Sequence, residues 1–177
     1  MFNLPNLFTL ARLVLAPFVA ADILHHRYGR AIVLFFFAGL SDVIDGFLAR
    51  RFEASTPAGA YFDPIADKIL LSVIYVSLGV VGAIPWWMVA VVFGRDVLIL
   101  AMAAYGLLFT TLRKFPPSVW GKISTFFQIV AALVVMGARA GIPAPVTLAL
   151  CLMLVGTIVS GVHYVWRAIV SLRQTAH

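Results

Sequence analysis

The stretch Asp42-Val43-Ile44-Asp45-Gly46-Phe47-Leu48-Ala49-Arg50 is followed, after an eight-residue gap, by Gly59-Ala60-Tyr61-Phe62-Asp63-Pro64-Ile65-Ala66-Asp67, and the chain is read outward from it. It holds four of the seven acidic residues, and the sequence on both sides is apolar. A carboxylate inside a bilayer is costly unless it is paired, hydrated or bound to a cation. Four of them in two neighbouring hydrophobic segments mark a functional site.

Composition says what those segments are. Of 177 residues, 63% are hydrophobic and 11% charged, against about 45–50% and about 25% in a soluble domain. The expected fold is an all-α integral membrane protein, residues 1–177 forming one domain. The length accommodates six spans of roughly 20 residues, with nothing left for a soluble domain. The single cysteine, Cys151, excludes an internal disulfide and reads as a small packing residue. Met1-Phe2-Asn3-Leu4-Pro5 lacks the basic region of a signal peptide, so the first apolar segment is expected to stay as a membrane helix. No nucleic-acid partner is expected.

The spans are placed near 7–24, 30–50, 57–81, 86–109, 118–138 and 146–168. Thr56 before Pro57 reads as a helix cap followed by proline at the first helical position. Pro17 and Pro64 fall inside spans, and Pro64 is expected to bend its helix. Gly82-Ala83-Ile84-Pro85 reads as a turn, with Trp86 and Trp87 at the aromatic belt. Arg50, Arg51, Arg113, Lys114, Lys122, Arg167 and Arg173 fall on one side, against Arg27, Arg30 and Arg139 on the other. That asymmetry puts both termini in the cytoplasm.

Topology then gives depth. At about 1.5 Å per residue, Asp42 and Asp45 lie roughly 8–13 Å inward from the cytoplasmic end of the second span. Asp63 and Asp67 enter the third span from the same end and reach about the same depth. Arg12, Lys68 and Lys122 also fall in the cytoplasmic half, and Arg95 near the middle. One polar cavity open to the cytoplasm is the expected arrangement.

Asp42 and Asp45 are three residues apart, and Asp63 and Asp67 four, so each pair shares one helix face. Four converging carboxylates repel one another unless some protonate or cations bind. Ligands of oxygen alone favour hard divalent ions over zinc, and four with open positions suit a two-metal site for phosphoryl groups. Gly46 and Gly59 leave room for a ligand or for close helix packing. Arg50, near the mouth, reads as a phosphate contact or a topology determinant.

Asp42, Asp45, Gly46, Ala49, Arg50, Gly59, Asp63 and Asp67 match D-x2-D-G-x2-A-R-x8-G-x3-D-x3-D at every fixed residue and spacing. In this the chain resembles the CDP-alcohol phosphatidyltransferases, a family of six-helix membrane enzymes. The resemblance implies that Asp42, Asp45 and Asp63 bind two divalent metals, Mg²⁺ or Mn²⁺. Asp67 would join one metal and act as general base on the acceptor hydroxyl. It further implies that CDP-diacylglycerol is the donor, with Gly46, Ala49 and Gly59 lining the nucleotide pocket, Arg50 close to it, and CMP leaving. Pro5 to Arg12 is similar to the family's first helix, so Asn6, Thr9 and Arg12 are expected to help hold the diphosphate or the base. A homodimer in the cell inner membrane is also expected on this resemblance.

The acceptor is read from two further resemblances, Gly94-Arg95-Asp96 and Gly121-Lys122-Ile123-Ser124-Thr125-Phe126-Phe127-Gln128. Phosphatidylglycerophosphate synthases tend to carry a second lysine where Ser124 stands and glutamate where Asp96 stands. The eukaryotic-type cardiolipin synthases tend to carry a small polar residue and aspartate there. Glycerol 3-phosphate bears a phosphomonoester near −2, whose second pKa is about 6, and phosphatidylglycerol a single charge. A missing cation is less harmful to the second, so phosphatidylglycerol is the expected acceptor and glycerol 3-phosphate the alternative. Arg95, Lys122 and Arg113 are the candidate acceptor contacts.

A cation or proton-coupled transporter is the competing class. It requires acids on both sides of the midplane, and Asp22 is the one outer-side acid. His25 and His26 read as solvated loop residues, and Ser160-Gly161 as a helix contact.

Overall fold

The computed structural model describes the backbone of residues 4–39, 59–109 and 119–175, and within them the side chains of 12–39, 68–102 and 119–167. The described backbone is helical throughout apart from short turns: α1 (Leu4–Leu24), α2 (Tyr28–Gly39), α3 (Gly59–Val80), α4 (Trp86–Phe109), α5 (Val119–Arg139) and α6 (Val146–Thr175). The fourth span coincides with the expected one. The first begins three residues earlier, with Pro5 in its opening turn, where the missing N–H costs nothing. The sixth runs on to Thr175; its 30 residues make about 45 Å, more than the roughly 30 Å hydrocarbon core requires. α3 continues through Pro64 without interruption. Thr56 and Pro57 lie outside the described residues.

Contacts gather the helices into two compact units, residues 1–84 with 132–144, and residues 85–131 with 145–177. In the first, α1 packs along α3. The stripe Arg12, Ala16, Val19 and Ile23 is buried on α1, and Leu70, Leu71, Ile74, Tyr75 and Leu78 are buried on α3. The steps of three and four residues are those of one helix face. Tyr28, Ala31, Phe35 and Ala38 do the same on α2. In the second unit α4 packs on α6. Phe127 of α5 approaches Gly156 of α6 so closely that a Cβ there would lie 3.3 Å from its ring.

Burial departs from the pattern of a soluble protein on the outside, where large apolar side chains are exposed beside a few buried polar ones. Arg12, Arg95, Ser124, Gln128, Thr157 and Ser160 are buried, while Phe18, Phe36, Phe37, Val97, Leu100, Phe126, Val155 and Trp166 are exposed. Apolar surface on this scale needs a non-aqueous neighbour. Two helices among the described residues, Val119–Arg139 and Val146–Arg167, are long and apolar enough to cross a membrane. Cys151 is exposed on α6, so it does not pack within the chain as expected.

The three turns α1–α2, α3–α4 and α5–α6 share one chemistry. Arg27 N–H donates to Asp22 O and His26 N–H to Ile23 O. Ala83 and Gly82 repeat the pattern onto Leu78 and Gly79, and Ile142 and Gly141 onto Gly137 and Ala138. This is the Schellman cap, with a left-handed residue just past the helix end. Gly82 (φ 66) and Gly141 (φ 93) fill that place freely, and His26 takes it at φ 57. Arg139 Nη2 donates to Gly82 O at 2.9 Å, tying the end of α5 to the α3–α4 turn. Asp22, 6% exposed, has Arg30 Nε at 3.5 Å from Oδ2.

Candidate active site

Two sets of candidates fall on the two units. Of the carboxylate set, Asp42, Asp45, Gly46, Ala49 and Arg50 lie outside the described residues, as does Arg113 of the acceptor set. Gly59, Asp63 and Asp67 stand on the first turns of α3, an unbroken helix from Gly59 to Val80. They recur every fourth residue, on the register that later carries buried Leu70, Leu71, Ile74 and Leu78. Asn6, Thr9 and Arg12 likewise recur every third residue on α1, on the register of buried Ala16 and Val19. Since α1 packs along α3, the first unit carries the expected diphosphate helix beside the expected metal helix. Arg12 is 2% exposed and engages a neighbouring group. A guanidinium at such burial is tolerated only with partners.

The donor set fits the implied metals by its chemistry. Carboxylate oxygens are hard ligands, matched to Mg²⁺ or Mn²⁺, and α3 keeps Asp63 and Asp67 on one side of a single rod. His25 and His26 are exposed; His25 Nδ1 lies 2.7 Å from Ala21 O and His26 Nδ1 2.9 Å from Tyr28 Oη. They serve the α1–α2 turn.

The second unit holds the acceptor candidates, and here the side chains are explicit. Arg95, 8% exposed, sits midway along α4. Its Nη1 donates to Asp96 Oδ1 at 2.6 Å. Its Nε and Nη2 both donate to Ser160 Oγ, at 3.3 and 2.8 Å. Nη2 also donates to Gly121 O at 3.3 Å. One guanidinium thus links α4, α5 and α6, and four of its five N–H donors are engaged. Lys122 follows Gly121 on the first turn of α5 and is exposed. Gly121 O also accepts from Thr125 Oγ1 at 3.1 Å.

A second polar rung joins α5 to α6. Ser124 Oγ donates to Thr157 Oγ1 at 3.4 Å, and Gln128 Nε2 donates to the same oxygen at 3.3 Å. Thr157 Oγ1 donates in turn to Met153 O at 2.8 Å. Ser124 is fully buried in this rung. The Ser124 hydroxyl is therefore turned toward α6. Between α4 and α6 lies a groove of about 450 Å³ with apolar walls from Val91, Leu98, Ile158 and Val162, opened by Gly94 and Gly161. Reasoning from sequence named Arg95 and Lys122 but assigned Ser160 no role beyond helix contact and passed over Thr157. The signal available was polar residues at helical spacing within an apolar helix, Thr157 and Ser160 three apart.

Residues 2–170 match the family described as CDP-alcohol phosphatidyltransferase. A probable phosphatidylglycerophosphate synthase of Mycobacterium tuberculosis is 35% identical, over 98% of this chain and 87% of its own. A CDP-diacylglycerol–glycerol-3-phosphate 3-phosphatidyltransferase of Aquifex aeolicus is 35% identical over 74% of each. The human cardiolipin synthase (CMP-forming) is 37% identical over 59% of this chain and 35% of its own.

Proposed function

Since this chain belongs to the CDP-alcohol phosphatidyltransferase family, we propose that it transfers the phosphatidyl group of CDP-diacylglycerol to phosphatidylglycerol, forming cardiolipin and releasing CMP. Asp42, Asp45, Asp63 and Asp67 would hold two divalent cations, Mg²⁺ or Mn²⁺. Bound there, the cations supply positive charge to the diphosphate and to the departing phosphate of CMP. Asn6, Thr9, Arg12 and Arg50 hold the diphosphate, and Gly46, Ala49 and Gly59 admit the nucleotide. The Asp67 carboxylate takes the proton of the acceptor hydroxyl as its oxygen attacks the phosphorus nearer the diacylglycerol. The new P–O ester forms as the bond between the two phosphates breaks, and CMP departs with that electron pair. The six helices span the inner membrane as one domain, the site opens to the cytoplasm, and the chain works as a homodimer.

The acceptor is inferred from the Arg95–Asp96 pair. Its 2.6 Å contact compensates the cation that would otherwise face a phosphomonoester. Lys122 and Arg113 are left to supply positive charge, which matches the single charge of a phosphodiester better than a charge near −2. Glycerol 3-phosphate is the second reading, favoured by the name of the M. tuberculosis relative that aligns with 98% of this chain. The test supplies purified chain, CDP-diacylglycerol and Mn²⁺ with each acceptor in turn. CMP release with phosphatidylglycerol alone supports cardiolipin formation, and release with glycerol 3-phosphate alone overturns it in favour of the second reading.

A further inference from the structure

We infer that Ser160 is a positioning residue for the acceptor: through the Arg95 guanidinium it sets the place of the first turn of α5 and of Lys122 on it. The inference rests on the reading of Lys122 as an acceptor contact, and it adds a residue of α6 that neither the motif nor the charges single out.

The chain of contacts is short. Ser160 is fully buried, and its hydroxyl oxygen accepts from both Nε and Nη2 of Arg95. Two donors on one acceptor fix the plane of the guanidinium as well as its distance. With the plane fixed and Nη1 held by Asp96, the second hydrogen of Nη2 reaches Gly121 O. Gly121 O also accepts from Thr125 Oγ1 within α5, and the Nη2 bond adds a tie from α4 to that opening turn. That tie between helices helps set where the next residue, Lys122, starts its side chain. The Arg95 stem lies against α6 beside Gly161, where a Cβ would stand 3.9 Å from Arg95 Cγ, at ordinary contact distance. The two bonds to Ser160 are buried and lack competition from water, so losing the hydroxyl loosens the guanidinium plane instead of exchanging one partner for another.

The contact lies wholly within the unit of residues 85–131 and 145–177, whereas the carboxylates and the diphosphate helix lie in residues 1–84. A lesion at Ser160 is therefore expected to weaken acceptor use and spare the CDP-lipid. Thr157, one turn away, supplies the contrast. Its hydroxyl is also buried on α6, but its hydrogen bonds go to Ser124, Gln128 and Met153.

The experiment measures CMP release by the purified full-length chain with phosphatidylglycerol varied at saturating CDP-diacylglycerol, then the reverse. The variants are Ser160→Ala, Ser160→Cys, Ser160→Thr and Thr157→Val. Ser160→Ala is expected to raise the acceptor KM about tenfold, the loss of roughly one well-made charged hydrogen bond. The KM for CDP-diacylglycerol stays within about twofold of wild type. Ser160→Cys, with its weaker acceptor, falls between, and Ser160→Thr restores the acceptor KM. Thr157→Val lowers thermal stability without separating the two constants. An unmoved acceptor KM in Ser160→Ala, a parallel rise of both constants, or the same split in Thr157→Val overturns the inference while wild-type activity stands. A wild type that releases no CMP with any alcohol overturns the reading beneath it as well.

Discussion

At the scale of single residues, this chain is governed by what a charge or hydroxyl must do when it leaves water. The acids of the motif stood out in the sequence because a carboxylate in an apolar helix has few explanations. Asp67→Asn should abolish turnover yet cost less CDP-diacylglycerol affinity than Asp42→Asn, since Asp67 joins one metal but acts chiefly on the acceptor proton, whereas Asp42 acts on the donor through the metals. Turnover assays paired with equilibrium binding of the CDP-lipid check this, and equal losses of affinity would remove Asp67 from its role. Ser160 and Thr157 were not legible in the same way. A hydroxyl in a membrane helix can always bond its own backbone four residues back, as Thr157 does to Met153 and Ser77 to Val73. Its second partner, on another helix, is invisible until the helices are packed. Arg95 was legible as a charge near the middle of its span, but the donors committed to Ser160, Asp96 and Gly121 were not.

At the scale of elements, hydropathy located the helices and local chemistry ended them. α4 falls where the proline turn and tryptophan pair put it, because Gly82 takes the left-handed cap that ends α3 and Pro85 precedes the first residue of α4. α1 and α6 overran the expected limits because a helix does not stop where the apolar run stops. The cap at His26 was hidden, since histidine occupies a left-handed position far less often than glycine. The two glycine caps can be tested directly. Gly82→Val or Gly141→Val forces a branched side chain into positive φ and should cost about 1–2 kcal/mol, read as a lowered melting temperature in detergent. Unchanged melting in both would mean these turns do not hold the helix ends.

At the scale of the whole molecule, polar side chains such as Arg12, Arg95, Ser124 and Ser160 are buried among the described residues while many large apolar ones are exposed. Composition alone conveyed this, because a chain 63% hydrophobic has no way to hide its apolar surface from water. The division into two compact units was not legible, since spacing along one helix says nothing about its neighbours. Chelation should silence CMP release, and added Mn²⁺ or Mg²⁺ should restore it; zinc should serve poorly at a site of oxygen ligands alone. Rescue by zinc to the same level would point to other ligands. The most direct test of the account is a titration of Mn²⁺ into the purified chain with CDP-diacylglycerol present, repeated for Asp→Asn at positions 42, 45, 63 and 67. The account predicts about two Mn²⁺ per chain, with weakened or lost binding in each variant; undiminished Mn²⁺ binding in all four would contradict it.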